Sequence, residues 1–117
     1  MAEKTRKTFV LVHGAWHGGW CWRRVADLLE LQGHKVFTPT LTGLGERSHL
    51  LTKDINLDTH INDLLGVLEA EDLRNVILVG HSYGGMVATG VADRVPERIS
   101  RLVYLDCLLY TSDAADE

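Results

Sequence analysis

The stretch NVILVGHSYGGM, running from Asn75 to Met86, decides how this chain folds. Asn75, Val76, Ile77, Leu78 and Val79 form an apolar run of strand length, the pattern of a short strand buried on both faces. From Met86 to Arg94 the residues are mostly small and apolar, as in a buried helix. Gly80, His81, Ser82, Tyr83, Gly84 and Gly85 lie between, so Ser82 is expected to cap a sharp strand-to-helix turn. Glycine at 80 and 84 suits so tight a reversal, because side chains there would collide. A bare Gly-x-Ser-x-Gly recurs in many ordinary loops. It is the flanking strand and helix that make Ser82 a candidate nucleophile.

Further elements extend in both directions from this point. Phe9 to Val12 reads as a first buried strand, and a glycine- and tryptophan-rich loop follows it. Trp22, Val25, Leu28 and Leu29 then fall at helical spacing, with Gly33 as the terminator. Val36 and Phe37 begin a second strand, stopped by Pro39. Thr40 to Asn56 is a long polar connection of the kind that tends to carry function. Leu57, Ile61, Leu64, Leu65 and Leu68 make one clean helical face, and Leu102 to Leu105 a fourth strand. The alternation predicts an α/β fold: a doubly wound, mainly parallel sheet of about four strands with three helices covering both faces. Right-handed crossovers put the loops after His13 and Gly80 on one rim.

Residues 1–106 are read as one domain unit. Cys107 to Glu117 has no periodicity, and it is expected to be a non-native or disordered tail. Its end, Thr111 to Glu117, is unlike a further element of the fold.

The bulk numbers exclude several classes of function. The 117 residues suffice for one core, and 12 basic against 16 acidic side chains leave a formal charge of −4. No basic run offers a phosphate-binding stripe, so no nucleic-acid partner is expected. No apolar segment is long enough for a signal sequence or a membrane span; a cytoplasmic location with no membrane partner is the expectation. Cys21 and Cys107 are the two cysteines, with no metal-ligand spacing, so neither a disulfide framework nor a metal site is expected, and no cofactor. Cys21 itself reads as a small, partly buried apolar residue.

A serine hydroxyl needs a base to take its proton and donors to hold the charge that develops on the attacked carbonyl. The N–H of Tyr83, just after the serine at a helix start, is one candidate donor. The loop after the first strand reads His13-Gly14-Ala15-Trp16-His17-Gly18-Gly19-Trp20, and the Ala15 N–H is the second. Trp16 and His17 are read as substrate-pocket residues, and Trp22 as core. His13 and His17 are expected to shape their loop through hydrogen bonds, and His81 to pack under the turn. His34 is expected to be exposed, His49 and His60 solvated, and Asp106 a polar residue closing a strand.

Taken together, the two loops resemble those of the α/β-hydrolase group that contains plant methyl-ester esterases, hydroxynitrile lyases and bacterial carboxylesterases. The likeness spans Thr8 to about Asp106. It implies Ser82 as nucleophile, an oxyanion hole from Ala15 and Tyr83, a small-molecule ester as substrate and a complete N-terminus. His81 favours the esterases within the group. In the family the acid and base follow on loops after later strands. The resemblance therefore implies that these 117 residues hold a nucleophile and oxyanion donors without their base, and that the chain is an inactive N-terminal fragment of an esterase. It also implies that Leu102 to Leu105 forms an apolar edge prone to aggregation. A hydroxynitrile lyase-like carbon–carbon lyase and a non-catalytic ligand-binding module are the alternatives.

Overall fold

The structure is a computed structural model, and it describes residues 6–106. Four strands, β1 (Thr8–Val12), β2 (Lys35–Phe37), β3 (Val76–His81) and β4 (Ile99–Leu105), alternate with three helices, α1 (Arg23–Leu31), α2 (Leu57–Ala70) and α3 (Gly84–Arg94). All strand pairs are parallel, in the order β2-β1-β3-β4. The expected α/β architecture is therefore present. The tail from Cys107 to Glu117 lies outside the described residues.

Strand order places the site. From β1 the chain steps outward to β2, then returns past β1 to β3 and β4, so β1 and β3 flank the point where winding reverses. Loops leaving the carboxyl ends of two such strands diverge and leave a crevice. Val12 pairs with Gly80, and His81 with Leu105, so the loop after β1, the turn after β3 and the end of β4 share one rim.

Successive strand residues face opposite sides of the sheet, and two clusters follow from this. Val10, Val12, Val76 and Leu78 pack with Ile61, Leu64 and Leu68 of α2 and Val87, Ala88 and Val91 of α3. Leu11 and Val79 face the other way, onto Trp22. Leu64 is fully buried in the first cluster. Leu64→Ala is expected to lower the unfolding free energy by about 2–5 kcal/mol, the range for an emptied leucine site, and urea denaturation measures it.

Local signals explain the helix ends. Asn56 caps α2, its side chain accepting from the Thr59 N–H while the Thr59 hydroxyl accepts from the Asn56 N–H, both at 3.1 Å. Gly33, at φ 93°, ends α1 as expected; its N–H bonds to the Glu30 carbonyl. In α1 the spacing names an apolar face but not its cover. Trp22 is buried, whereas Val25 is 42% and Leu28 61% exposed.

Several boundaries differ from expectation. Asn75 stands outside β3 in a left-handed turn at φ 54°, and β3 runs on through His81. Helix α3 starts two residues earlier than Met86, at Gly84, because the turn is tighter than side-chain patterning reveals. Strand β4 begins at Ile99 rather than Leu102, since backbone pairing with Val76 reaches past the apolar run. Cys21 is exposed, not partly buried, because it sits on the outer side of the turn Gly19–Trp22. Among the described residues, no helix is long and apolar enough to cross a membrane.

Candidate active site

Ser82 stands between β3 and α3 at φ 58°, a conformation an L-residue adopts only when its surroundings impose it. Those surroundings are backbone. A Cβ on Gly80 would lie 2.6 Å from the Gly84 carbonyl oxygen and 2.7 Å from the Gly85 Cα. One on Gly84 would press into the Val12 carbonyl oxygen and reach 2.6 Å from that of His13. The turn is thus wedged against the end of β1. The Ser82 N–H donates to the Leu105 carbonyl (3.1 Å), and its own carbonyl accepts from the Gly85 N–H (2.9 Å). Ser82 is held at both ends of its backbone while its hydroxyl stays uncommitted among the described residues.

The loop after β1 meets this turn directly. A Cβ on Gly14 would stand 3.1 Å from the Ser82 Cβ, so there is little room for a side chain between the residue before Ala15 and the serine. Among the described residues, neither the Ala15 N–H nor the Tyr83 N–H is spent in a hydrogen bond. Tyr83 caps α3, whose N-terminus adds its own partial positive charge. Two free donors, one helix end and one serine hydroxyl are gathered at the rim.

The histidines divide by what holds them. His13 is fully buried. Its Nδ1–H donates to the Gly14 carbonyl (2.7 Å), and its Nε2 accepts from the Leu41 N–H (3.0 Å). Both nitrogens are used, which requires the neutral ring, and burial pushes its pKa down. A depressed histidine pKa adds stability that is complete above the unfolded value of about 6.5 and is lost as pH falls from there toward the folded value. The urea midpoint is therefore expected to fall between pH 7 and 5, less steeply in His13→Gln. Glu46 acts in a separate, lower window, its carboxyl held below the ordinary range by the Thr40 hydroxyl.

His60 is not the solvated histidine that its place at a helix start suggests. It is buried, with its Nε2–H donating to the Thr42 carbonyl (2.9 Å) and its Nδ1 accepting from the Tyr83 hydroxyl (2.7 Å). The signal was in the sequence: His60, Leu64 and Leu68 lie at i, i+4 and i+8, on the buried stripe of α2. His34, expected to be exposed, is half-buried, accepting from the Lys7 N–H and meeting Phe9 edge-on. His49 is exposed, as expected.

Thr40, Glu46 and Asp63 also escaped the sequence reading. The Thr40 hydroxyl accepts from the Gly19 N–H and donates to Glu46, both at 2.8 Å. Asp63 takes the Thr42 N–H (2.6 Å) and hydroxyl (2.7 Å) together. The polar connection after β2 is thereby pinned to the loop after β1 and to α2.

Beside the turn lies a groove of about 290 Å³ lined by His17, Cys21, Trp22, Val25, His81 and Leu105. His81 packs edge-on to Trp22 and His17, with centroids 6.3 and 6.4 Å apart. The His17 ring, not a side-chain hydrogen bond, makes its contacts among the described residues. Trp16 is 93% exposed and stands away from the groove. The buried Trp22 indole N–H finds no acceptor among the described residues.

A parallel sheet wound in both directions, with a strained serine on a glycine-walled turn at its reversal point, defines an α/β hydrolase. The chain belongs to the alpha/beta hydrolase family, whose model matches residues 9–116. It is 62% identical over 101 residues to the carbendazim hydrolyzing esterase of Nocardioides sp. (strain SG-4G), covering 86% of this chain and 42% of that protein. It is 35% identical over 109 residues to methylesterase 2 of Arabidopsis thaliana, covering 92% of this chain and 41% of that protein. A solved extracellular alpha/beta-hydrolase from a Paenibacillus species superposes with a TM-score of 0.80 at 35% identity, over 86% of this chain and 40% of its own. The chain thus spans about 40% of the length of the relatives it matches.

Proposed function

We propose that the protein carrying this chain is a serine carboxylester hydrolase working through an acyl-enzyme. Ser82 is the nucleophile, and the Ala15 and Tyr83 N–H groups form its oxyanion hole. The observation that carries this reading is Ser82 at φ 58°, its hydroxyl and the N–H groups of Ala15 and Tyr83 unspent among the described residues, on two closely spaced loops. The esterase names of the relatives support a small-molecule ester as substrate. The aromatic wall of the groove, His17, Trp22 and His81, suits an acyl or alcohol group with a flat ring.

In the reaction, a base takes the Ser82 proton as Oγ attacks the ester carbonyl. The oxyanion of the tetrahedral intermediate is held by the two N–H groups; the alcohol then leaves, and water releases the acid by the same route. No described histidine stands ready as the base by hydrogen bonding to Ser82. Both ring nitrogens of His13 and His60 are committed elsewhere. The acid and base are assigned to the part of the domain that the longer relatives have in addition, and the 117 residues alone are expected to be inactive.

A fluorophosphonate probe tests this in the full-length protein: it is expected to label Ser82 stoichiometrically, giving a single modified peptide in mass spectrometry. Labelling elsewhere, with Ser82 unmodified, removes the proposal. Trapping the acyl group of a slow ester on Ser82 separates it from the lyase alternative, in which no acyl-enzyme forms.

A further inference from the structure

We propose that His60 is a positioning residue for the oxyanion hole: through the Tyr83 side chain it sets the direction of the Tyr83 N–H, and through Thr42 it ties the loop after β2 to the same point. This rests on the reading of Ser82 and Tyr83 given above.

The argument starts from the two hydrogen bonds. A carbonyl oxygen can only accept, so the bond to Thr42 places the imidazole proton on Nε2. Nδ1 is then the acceptor, and the Tyr83 hydroxyl must donate to it. One neutral tautomer satisfies both partners; moving the proton to Nδ1 would break the bond to the Thr42 carbonyl and reverse the one to the Tyr83 hydroxyl. The ring is further held edge-on against Tyr83, centroids 5.6 Å apart. The far end of the Tyr83 side chain is thus anchored on α2, a helix whose own position is set by the core through Ile61, Leu64 and Leu68.

The near end of that side chain is the turn. Tyr83 has φ −54° and ψ −32°, and the Ser82 carbonyl, on the same peptide as the Tyr83 N–H, already accepts from the Gly85 N–H (2.9 Å). The Tyr83 N–H is the group left to aim. With the hydroxyl anchored and the carbonyl bonded, the peptide between Ser82 and Tyr83 has little freedom to turn. That matters because donor alignment, more than donor presence, decides how strongly an oxyanion is held.

His60 also reaches the loop after β2. Thr42, whose carbonyl it bonds, is fixed from its other side by both oxygens of Asp63. His60 and Asp63 are one helical turn apart on α2, so a single helix fastens the loop after β2 and the turn after β3 together. A displacement of the loop would be passed to Tyr83 through one imidazole.

Three variants separate the two bonds. The amide oxygen of His60→Asn falls near the Nδ1 position and can still accept from Tyr83. The amide nitrogen of His60→Gln falls near Nε2 and can serve only Thr42. Tyr83→Phe removes the tether without touching His60, and keeps the test open if a His60 variant fails to fold. In the full-length protein, the Tyr83 and Gly84 amide resonances are expected to shift and to exchange faster in His60→Gln and Tyr83→Phe, and to stay near wild type in His60→Asn. In the full-length hydrolase, Ser82 phosphonylation is expected to slow roughly tenfold in the same two variants, with kcat lowered and KM little changed. Equal effects of Asn and Gln on both readouts would make His60 a packing residue and overturn the proposal. If wild-type Ser82 is not phosphonylated at all, the esterase reading fails, and the amide comparison still decides the tether.

Discussion

Ser82→Ala in the full-length hydrolase is expected to lower ester turnover by roughly 10⁴- to 10⁶-fold, the scale on which loss of a nucleophile acts in serine hydrolases. The whole acyl-enzyme route runs through one oxygen, so no neighbouring group takes its place. What remains over the uncatalysed reaction would come from the Ala15 and Tyr83 donors and from the groove, neither of which needs the hydroxyl. The variant should therefore fold and bind ester normally. KM, or the inhibition constant of a non-hydrolysed ester analogue, is expected to change little while kcat collapses. Steady-state kinetics on a chromogenic ester measure both, and a loss below tenfold would rule Ser82 out as the nucleophile. Removing a hydroxyl that makes no hydrogen bond among the described residues should leave the urea midpoint nearly unchanged, which separates this result from misfolding.

Gly84→Ala is expected to cost stability on the scale of the Leu64 truncation. An added methyl there meets carbonyl oxygens of Val12 and His13, both at the end of β1 in the centre of the sheet. Backbone cannot rotate aside as a side chain does, so α3 or the turn would have to move as a body. Overpacking of a tight core costs about 1–3 kcal/mol and occasionally more, and contacts that are all with backbone place this site at or above the top of that range. Against a typical domain stability of about 5–15 kcal/mol, that is a large fraction. Thermal or urea denaturation reads it directly, and a midpoint shift within error would show that the turn is looser than its contacts indicate. Gly90→Ala is the informative comparison, because there the new methyl meets chiefly the flexible side chain of Ile61.

The fold was legible because its information is local and repeated. Continuous apolar runs at Phe9–Val12 and Val76–Val79 are what strands buried on both faces require, and the helical spacing of Leu57, Ile61, Leu64 and Leu68 follows from one face meeting that sheet. The turn was legible for a different reason. Glycine at 80 and 84 leaves a mark at fixed positions, since close backbone approach excludes every other residue. Legibility failed where a residue's role depends on a partner far along the chain. The burial of His60 is written in its stripe with Leu64 and Leu68, but not that Tyr83, 23 positions later, and Thr42, 18 positions earlier, both come to its ring. Cys21, taken for partly buried, is exposed because the turn carrying Trp22 inward leaves its neighbour outward.

By itself, the sequence determined the α/β architecture, the turn bearing Ser82 and the loop that supplies Ala15, because each is written in periodicity or in glycines at fixed spacing. The tertiary structure alone decided which histidines are spoken for, which wall of the crevice His17 lines and how Thr40, Thr42 and Asp63 fasten one loop to the next. Those are pairings across strands and helices, and a hydrogen bond between distant residues leaves no period in the chain to read.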